Sequence, residues 1–477
     1  MNIVQVSAEL APWSKTGGLG DVCGALPRAL VARGHRVLTV APRYKDYAEA
    51  WDTGVRARIF LFGMEHEVAF HHLKRDGVHH VFVDHPSFRR SGIYGDHNGV
   101  YGDNLFRFAL LSKAGIEAAA RVPLDGEVMG EDVIFHANDW HTGLLPLYLE
   151  AHYRPAGRFP RAGTVLAIHN AGHHGAYDAH DFAGLDVSSR WWPAVDFDGR
   201  LNCLKAGATL ARQLVTVSPT YARQICVDHG FGLEPIFTMR ARELHGVVNG
   251  VDSTWDPAND PHIAAPFSAD DVSGKAACKA ALQREFGLPQ RPDVPLFGLI
   301  ARLDNQKGID LMMEVAPALM GGDVQLVVLG SGGRHYEDWV QHLARTWPRK
   351  ACGYVGFSEP LAHRIEAGAD LFLMPSRFEP CGLNQMYSMR YGTVPIVHAT
   401  GGLADTVQTV DPARDQGTGW AFRNFTAESF LDAIGWALLT FRGYPEAWRE
   451  IQLRGMRQDF TWERAAEAYE GIYDRSR

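Results

Sequence analysis

Three loops of this chain concentrate residue types that handle negative charge and hydroxyl groups. Lys15-Thr16-Gly17-Gly18-Leu19-Gly20-Asp21 joins a cation to a glycine run that ends on an acidic residue. Glycines let backbone amides approach an anion, the free N–H groups of a following helix favour it, and Lys15 adds a point charge. The run is neither G-x-x-x-x-G-K-[ST] nor a clean G-x-G-x-x-G, so it specifies no triphosphate loop and no dinucleotide fingerprint. Arg302-Leu303-Asp304-Asn305-Gln306-Lys307-Gly308 supplies a forked guanidinium and a compact ammonium, both suited to phosphate oxygens. In Glu379-Pro380-Cys381-Gly382-Leu383-Asn384 a carboxylate is held near a helix start. It can accept hydrogen bonds from sugar hydroxyls, or it is an ordinary helix N-terminal charge. Gly401-Gly402 offers a second anion cradle.

The elements that must carry these loops follow from the pattern around them. Short β-branched runs alternate with longer helical patterns, the signature of parallel βαβ units. The spacing predicts strands at Ile3–Val6, 36–40, 78–83, 132–136, 164–169 and 214–217, with a helix from about Asp21 to Arg33 that Pro27 should kink or restart. A Pro- and Asp-rich stretch, Trp255–Pro266, has the composition of an interdomain linker. A second series follows, with strands at 295–300, 324–329, 351–355, 370–374 and 393–397, and then a helical tail. Each loop named above directly follows a strand, where open α/β sheets bind ligands. The expected class is therefore α/β, with two doubly wound Rossmann-like domains facing a cleft.

Composition agrees and excludes other classes. The chain has 477 residues, 46% hydrophobic and 21% charged, enough for two or three cores. Its net charge of −8 argues against a nucleic-acid partner. The longest uncharged stretch, Ala162–Tyr177, contains three histidines and falls short of the ~20 apolar residues of a membrane helix. Six scattered cysteines form no C-x-x-C pair, and the chain opens on a strand, so a cytoplasmic protein with reduced thiols is expected. The 22 histidines show no metal spacing such as H-E-x-x-H, and no metal is expected.

Lys15-Thr16-Gly17-Gly18-Leu19, Asn249-Gly250-Val251-Asp252, Arg302 with Lys307, Glu379-Pro380-Cys381-Gly382-Leu383 and Thr400-Gly401-Gly402-Leu403 together resemble the motif set of bacterial glycogen synthases and plant starch synthases. They occur in family order along nearly the whole chain. The resemblance implies the glycosyltransferase B fold and retaining transfer of glucose from ADP-glucose to the non-reducing-end 4-hydroxyl of an α-1,4-glucan, with no cofactor. ADP-glucose is preferred because the Lys15–Asp21 motif resembles the bacterial branch. The same resemblance implies an acceptor-side domain at 1–248 carrying the glycine loop, a nucleotide-sugar domain at 249–460, and a helix at 461–477 crossing back to the first domain. Arg302 and Lys307 would grip the diphosphate, Glu379 would contact the donor glucose, and His169 would stand beside that sugar. Lys15, Gly17, Gly18, Asp21, Asn249, Cys381, Gly382, Leu383, Asn384, Gly401 and Gly402 would complete the binding surfaces. Asp139 reads on spacing alone as a helix cap, and by resemblance as an acceptor-side group.

The chain departs from related transferases at two places. Tyr387 stands where many retaining nucleotide-sugar transferases carry a second Glu, a feature shared by the glycogen and starch synthase branch. Asn384 stands where Thr is common. No residue is a convincing covalent nucleophile, which favours front-face departure of ADP. Three alternatives stay open: the same transfer from UDP-glucose, a glucan phosphorylase, and a non-catalytic glucan or nucleotide sensor. The phosphorylase would need a pyridoxal cofactor on a lysine, for which the chain offers no context.

Overall fold

Residues 1–477 are all described by the structure, a computed structural model. The chain divides into two compact units, residues 1–250 with 461–477, and residues 251–460.

The first unit is built on a nine-stranded sheet. Its strands run in the order Leu244–Gly246, Gln213–Thr216, Gly163–Ile168, Ile134–Asn138, Asn2–Val6, Arg36–Pro42, Val78–Asp84, Met64–Arg75, Trp51–Leu61. The first seven are parallel, and the last two add on antiparallel. The parallel strands are buried on both faces, which is why they read as continuous apolar runs. The sequence pattern missed the antiparallel pair. Trp51–Leu61 alternates exposed and buried positions, so Arg56 and Arg58 interrupt any apolar run. The helix Gly18–Ala32 passes through Pro27 as one element. Proline removes a single i→i−4 bond, and the buried face of the helix, including Leu26, Ala29 and Leu30, continues across it.

The last helix, Trp462–Arg475, belongs to this same unit. It lays Trp462, Tyr469, Ile472 and Tyr473 against Val22, Leu26 and Leu30 in one core. The Tyr473 hydroxyl lies 2.9 Å from His136 Nδ1, and Arg33 Nη2 lies 2.6 Å from Glu470. Gly250 lies under Trp462, where a Cβ would come within 2.6 Å of the indole Cγ.

The second unit holds six parallel strands in the order Ala351–Val355, Gln325–Gly332, Leu296–Leu303, Leu371–Met374, Val394–His398, Trp420–Phe422. The helix Ile309–Gly321 covers one face with Met312, Val315 and Leu319. The expected linker at 255–266 is docked on this unit. Trp255 stacks between His363 at 3.7 Å and Tyr387 at 3.9 Å, and Asp260 accepts a 2.6 Å hydrogen bond from Tyr391. Composition reported the polarity of that stretch but not the aromatic that anchors it. No helix is long and apolar enough to cross a membrane.

Tyr473 tests the packing of the returning helix. Tyr473→Ala should cost about 3–5 kcal/mol, the range for deleting a buried ring. Tyr473→Phe should cost about 1–3 kcal/mol by leaving His136 Nδ1 unpaired. Urea unfolding followed by circular dichroism measures both, and an Ala variant as stable as the parent would refute the packing described.

Candidate active site

Both units place loops at the C-terminal ends of their strands. In the first unit Asp139 follows the strand Ile134–Asn138 with φ +56°, a conformation few non-glycine residues adopt. That turn sends its carboxylate across to the next strand. Oδ1 accepts from the His169 N–H at 2.7 Å and the Asn170 N–H at 3.4 Å, while the Asp139 N–H donates to Ala167 O at 2.7 Å. Asp139 caps nothing with its side chain, so the helix-cap reading is corrected. Its carboxylate instead ties down the backbone at the end of Gly163–Ile168. Burial pushes its pKa up to about 7, against the lowering effect of those two amides.

His169 is thereby held from its backbone and also from its ring. Its Nε2 lies 3.0 Å from Asn138 Oδ1, and Asn138 Nδ2 donates to Val6 O at 3.1 Å. That orientation makes the Asn138 oxygen an acceptor and puts the imidazole proton on Nε2. Burial pushes His169 down to about 4, so the ring is neutral at pH 7. Asn249 is also buried, and its Oδ1 has no hydrogen-bond partner within the protein.

The glycine loop differs from the simple cradle expected. Lys15 Nζ pairs with Asp21 at 2.7 Å. The Gly17 N–H donates to Glu9 Oε2 at 3.3 Å, and the Thr16 N–H donates to the same oxygen at 2.7 Å. The Gly17 amide is therefore committed to a carboxylate of the chain itself. Gly18 opens the helix Gly18–Ala32, where first-turn donors have no intrahelical partner.

In the second unit Lys307 and Glu379 come together, with Nζ 2.5 Å from Oε2. Ser376 Oγ adds a 3.0 Å hydrogen bond to that oxygen. Glu379 is only 5% exposed, and its Oε2 is held in place by both groups. Arg302 is exposed and steadied by Asp304 and Gln306. Asn384 Nδ2 donates to Ile300 O at 2.8 Å, so one of its donors braces the strand end.

Gly401 and Gly402 are corrected. The Gly402 N–H donates to Glu379 O and Pro380 O, each at 3.1 Å, and a Cβ on Gly402 would lie 2.0 Å from Cys381 O. These glycines admit the backbone of 379–381; they are not an open anion cradle. Gly382 has φ +72°, which lets Cys381 and Leu383 turn into the helix Asn384–Arg390. Residues that sequence reasoning missed are Glu9, Tyr94, Asn138 and Ser376. Glu9 follows the first strand by three positions, so inspection of that strand end for acids as well as glycines would have found it.

Residues 2–239 match the family model described as starch synthase catalytic domain, and residues 283–450 match glycosyl transferases group 1. Soluble starch synthase 1, chloroplastic/amyloplastic, of Solanum tuberosum is 48% identical, covering 99% of this chain and 78% of that protein. Starch synthase 1, chloroplastic/amyloplastic, of Arabidopsis thaliana is 46% identical over 99% and 76%. The catalytic domain of starch synthase IV from Arabidopsis thaliana, bound to ADP and acarbose, matches with a TM-score of 0.90 at 30% identity, covering 100% of this chain and 99% of that one. Sucrose-phosphate synthase from Thermosynechococcus elongatus matches at 0.60 and 17% identity over 99% and 98% of the two chains, a likeness of fold. The two Rossmann-like units are thus of the glycosyltransferase B type. The starch synthases among these are plant proteins, so the bacterial branch is not singled out. Their names also overturn the cytoplasmic expectation, since they are plastid enzymes; scattered reduced cysteines do not discriminate between the two compartments.

The buried carboxylate of Asp139 makes a stability prediction. A carboxyl whose folded pKa is raised binds protons more tightly in the folded than in the unfolded state, so its contribution is full below about pH 4 and is lost as pH rises through about 7. Asp139→Asn keeps an acceptor for His169 N–H without that charge. Its melting temperature should exceed the parent's above pH 7, and the gap should close toward pH 4. A gap that is independent of pH would show that Asp139 is not the titrating group.

Proposed function

The chain belongs to the starch synthase family of glycosyltransferases, and from that premise we propose how its residues divide the work of the reaction. The reaction is transfer of a glucosyl residue from ADP-glucose to a glucan. Breaking the anomeric bond develops negative charge on the departing diphosphate and positive charge on the sugar, so catalysis requires fixed donors at one end and acceptors at the other. Arg302 and Lys307 serve the diphosphate, the first by its fork and the second as a point charge. Glu379, paired with Lys307, accepts from the hydroxyls of the donor glucose. Gly382, with its neighbours Cys381 and Leu383, sets the turn that holds Glu379.

In the first unit His169 stands beside the sugar. A neutral ring and a backbone carbonyl there stabilise an oxocarbenium-like centre without adding like charge. Asp139 positions His169 and faces the acceptor. Lys15, the Gly18 amide and Asp21 belong to the donor loop, and Asn249 offers its unpaired Oδ1 to the donor. No group is set up as a covalent nucleophile, so ADP leaves and the acceptor 4-hydroxyl attacks from the same face, with retention. An α-1,4-glucan of the glycogen or starch type is the acceptor.

The observation that carries this reading is the buried Lys307–Glu379 pair at 2.5 Å, one group suited to each end of a sugar diphosphate. The test is incubation of the chain with ADP-glucose or UDP-glucose and glycogen, with release of nucleoside diphosphate measured. ADP-glucose should be the better donor, and Lys307→Met should lower kcat by about 10²–10³, as for loss of one preorganised donor. Preference for UDP-glucose would overturn the donor assignment, and absence of turnover would favour a sensor.

A further inference from the structure

Glu9 carries a buried charge that the reaction above leaves unexplained. It is 3% exposed and has no cation beside it, because the nearby Lys15 pairs with Asp21. Four donors hold it instead. Oε2 accepts from the N–H groups of Thr16 at 2.7 Å and Gly17 at 3.3 Å, and Oε1 accepts from the hydroxyls of Thr16 at 2.7 Å and Tyr94 at 2.6 Å. Gly20 leaves it room, since a Cβ there would lie 3.2 Å from Oε2. Tyr94 in turn stacks on His141 with ring centroids 4.8 Å apart, two residues beyond Asp139. A carboxylate this buried is costly unless its lone pairs are filled, and a purely structural acceptor would be cheaper as an amide.

We propose that Glu9 is a positioning residue for glucosyl transfer: it shapes the Lys15–Gly18 loop by holding Thr16 and Gly17, and couples that loop through Tyr94 to the His141–Asp139 segment. The proposal rests on the transfer reading, which assigns the loop to the donor. One consequence separates it from a role in stability alone. The loop amides are ordered before the donor arrives, so the donor does not bear their ordering cost.

The experiment combines kinetics and hydrogen–deuterium exchange on the full chain and three variants. Glu9→Gln keeps the shape and can turn its oxygen to the amides and its NH2 to the hydroxyls, so its KM and its exchange at 14–20 should stay near the parent's. Glu9→Ala removes the anchor, so KM for ADP-glucose should rise about tenfold or more, the scale of a lost hydrogen bond to a charged group, and the amides of 14–20 should exchange faster. Tyr94→Phe, which removes one hydroxyl, should give a smaller rise in KM and tests the coupling if Glu9→Ala does not fold. Unchanged exchange at 14–20 in Glu9→Ala, or a KM in Glu9→Gln as high as in Glu9→Ala, would overturn the proposal. An inactive parent would overturn the transfer reading instead, while the exchange measurement would still decide the anchoring.

Discussion

A buried carboxylate must find donors for its oxygens or take a proton, and three loops of this protein are arranged around that constraint. Glu379 is answered by a cation, Lys307, and a hydroxyl, Ser376. Asp139 is answered by two backbone N–H groups of the neighbouring strand end. Glu9 is answered by two amides and two hydroxyls. In each case the acid lies beyond the end of a parallel strand, and at least one group that satisfies it comes from a distant stretch of chain: Lys307 for Glu379, residues 169–170 for Asp139, and Tyr94 for Glu9. Charge burial therefore converts flexible loops into fixed ones. Truncating one partner of such a buried set costs about 3–5 kcal/mol, more than most surface changes. These acids are thus clamps that shape their loops.

Glycine has two uses here, and sequence alone does not separate them. A run of glycines signals amides near an anion, or backbone passing too close to backbone for any side chain. Gly401 and Gly402 are of the second kind, each placing a Cβ position 2.0 Å from a carbonyl oxygen of the 379–381 segment. Gly308 is similar, 1.9 Å from Pro375 O. Gly17 has open space around its Cβ position, so its glycine serves something other than close packing, while its amide is already given to Glu9. The close partners of Gly308, Gly401 and Gly402 lie more than 20 residues away, where no local motif contains them.

The same distance limit explains what was legible. The parallel strands stood out because burial on both faces forces a run of apolar residues, and the motif loops stood out because they follow those strands. The antiparallel pair 51–75 did not, since one exposed face breaks the run with Arg56, Arg58 and Glu65. Trp255 was read as part of a linker because its partners, His363 and Tyr387, are more than 100 residues downstream. That stack suits an aromatic ring where related transferases carry a second carboxylate: Tyr387 is buried against an indole at 3.9 Å with rings 2° from parallel.

The basic groups that were expected to meet the diphosphate are each already ion-paired: Lys15 with Asp21, Arg302 with Asp304, and Lys307 with Glu379. An anion meeting any of them would have to exchange partners with an acid and would not meet bare positive charge. The pairs differ in what that exchange costs. The side chains of Lys15 and Asp21 are 38% and 30% exposed, and those of Arg302 and Asp304 are 57% and 32% exposed. Pairs so open to water are worth about 0–1 kcal/mol, so they give up their cations readily. Lys307 and Glu379 are 22% and 7% exposed, and separating them would strand a buried acid. The Lys307–Glu379 pair is thus the costly one to separate, and the Lys15–Asp21 and Arg302–Asp304 pairs are the cheap ones.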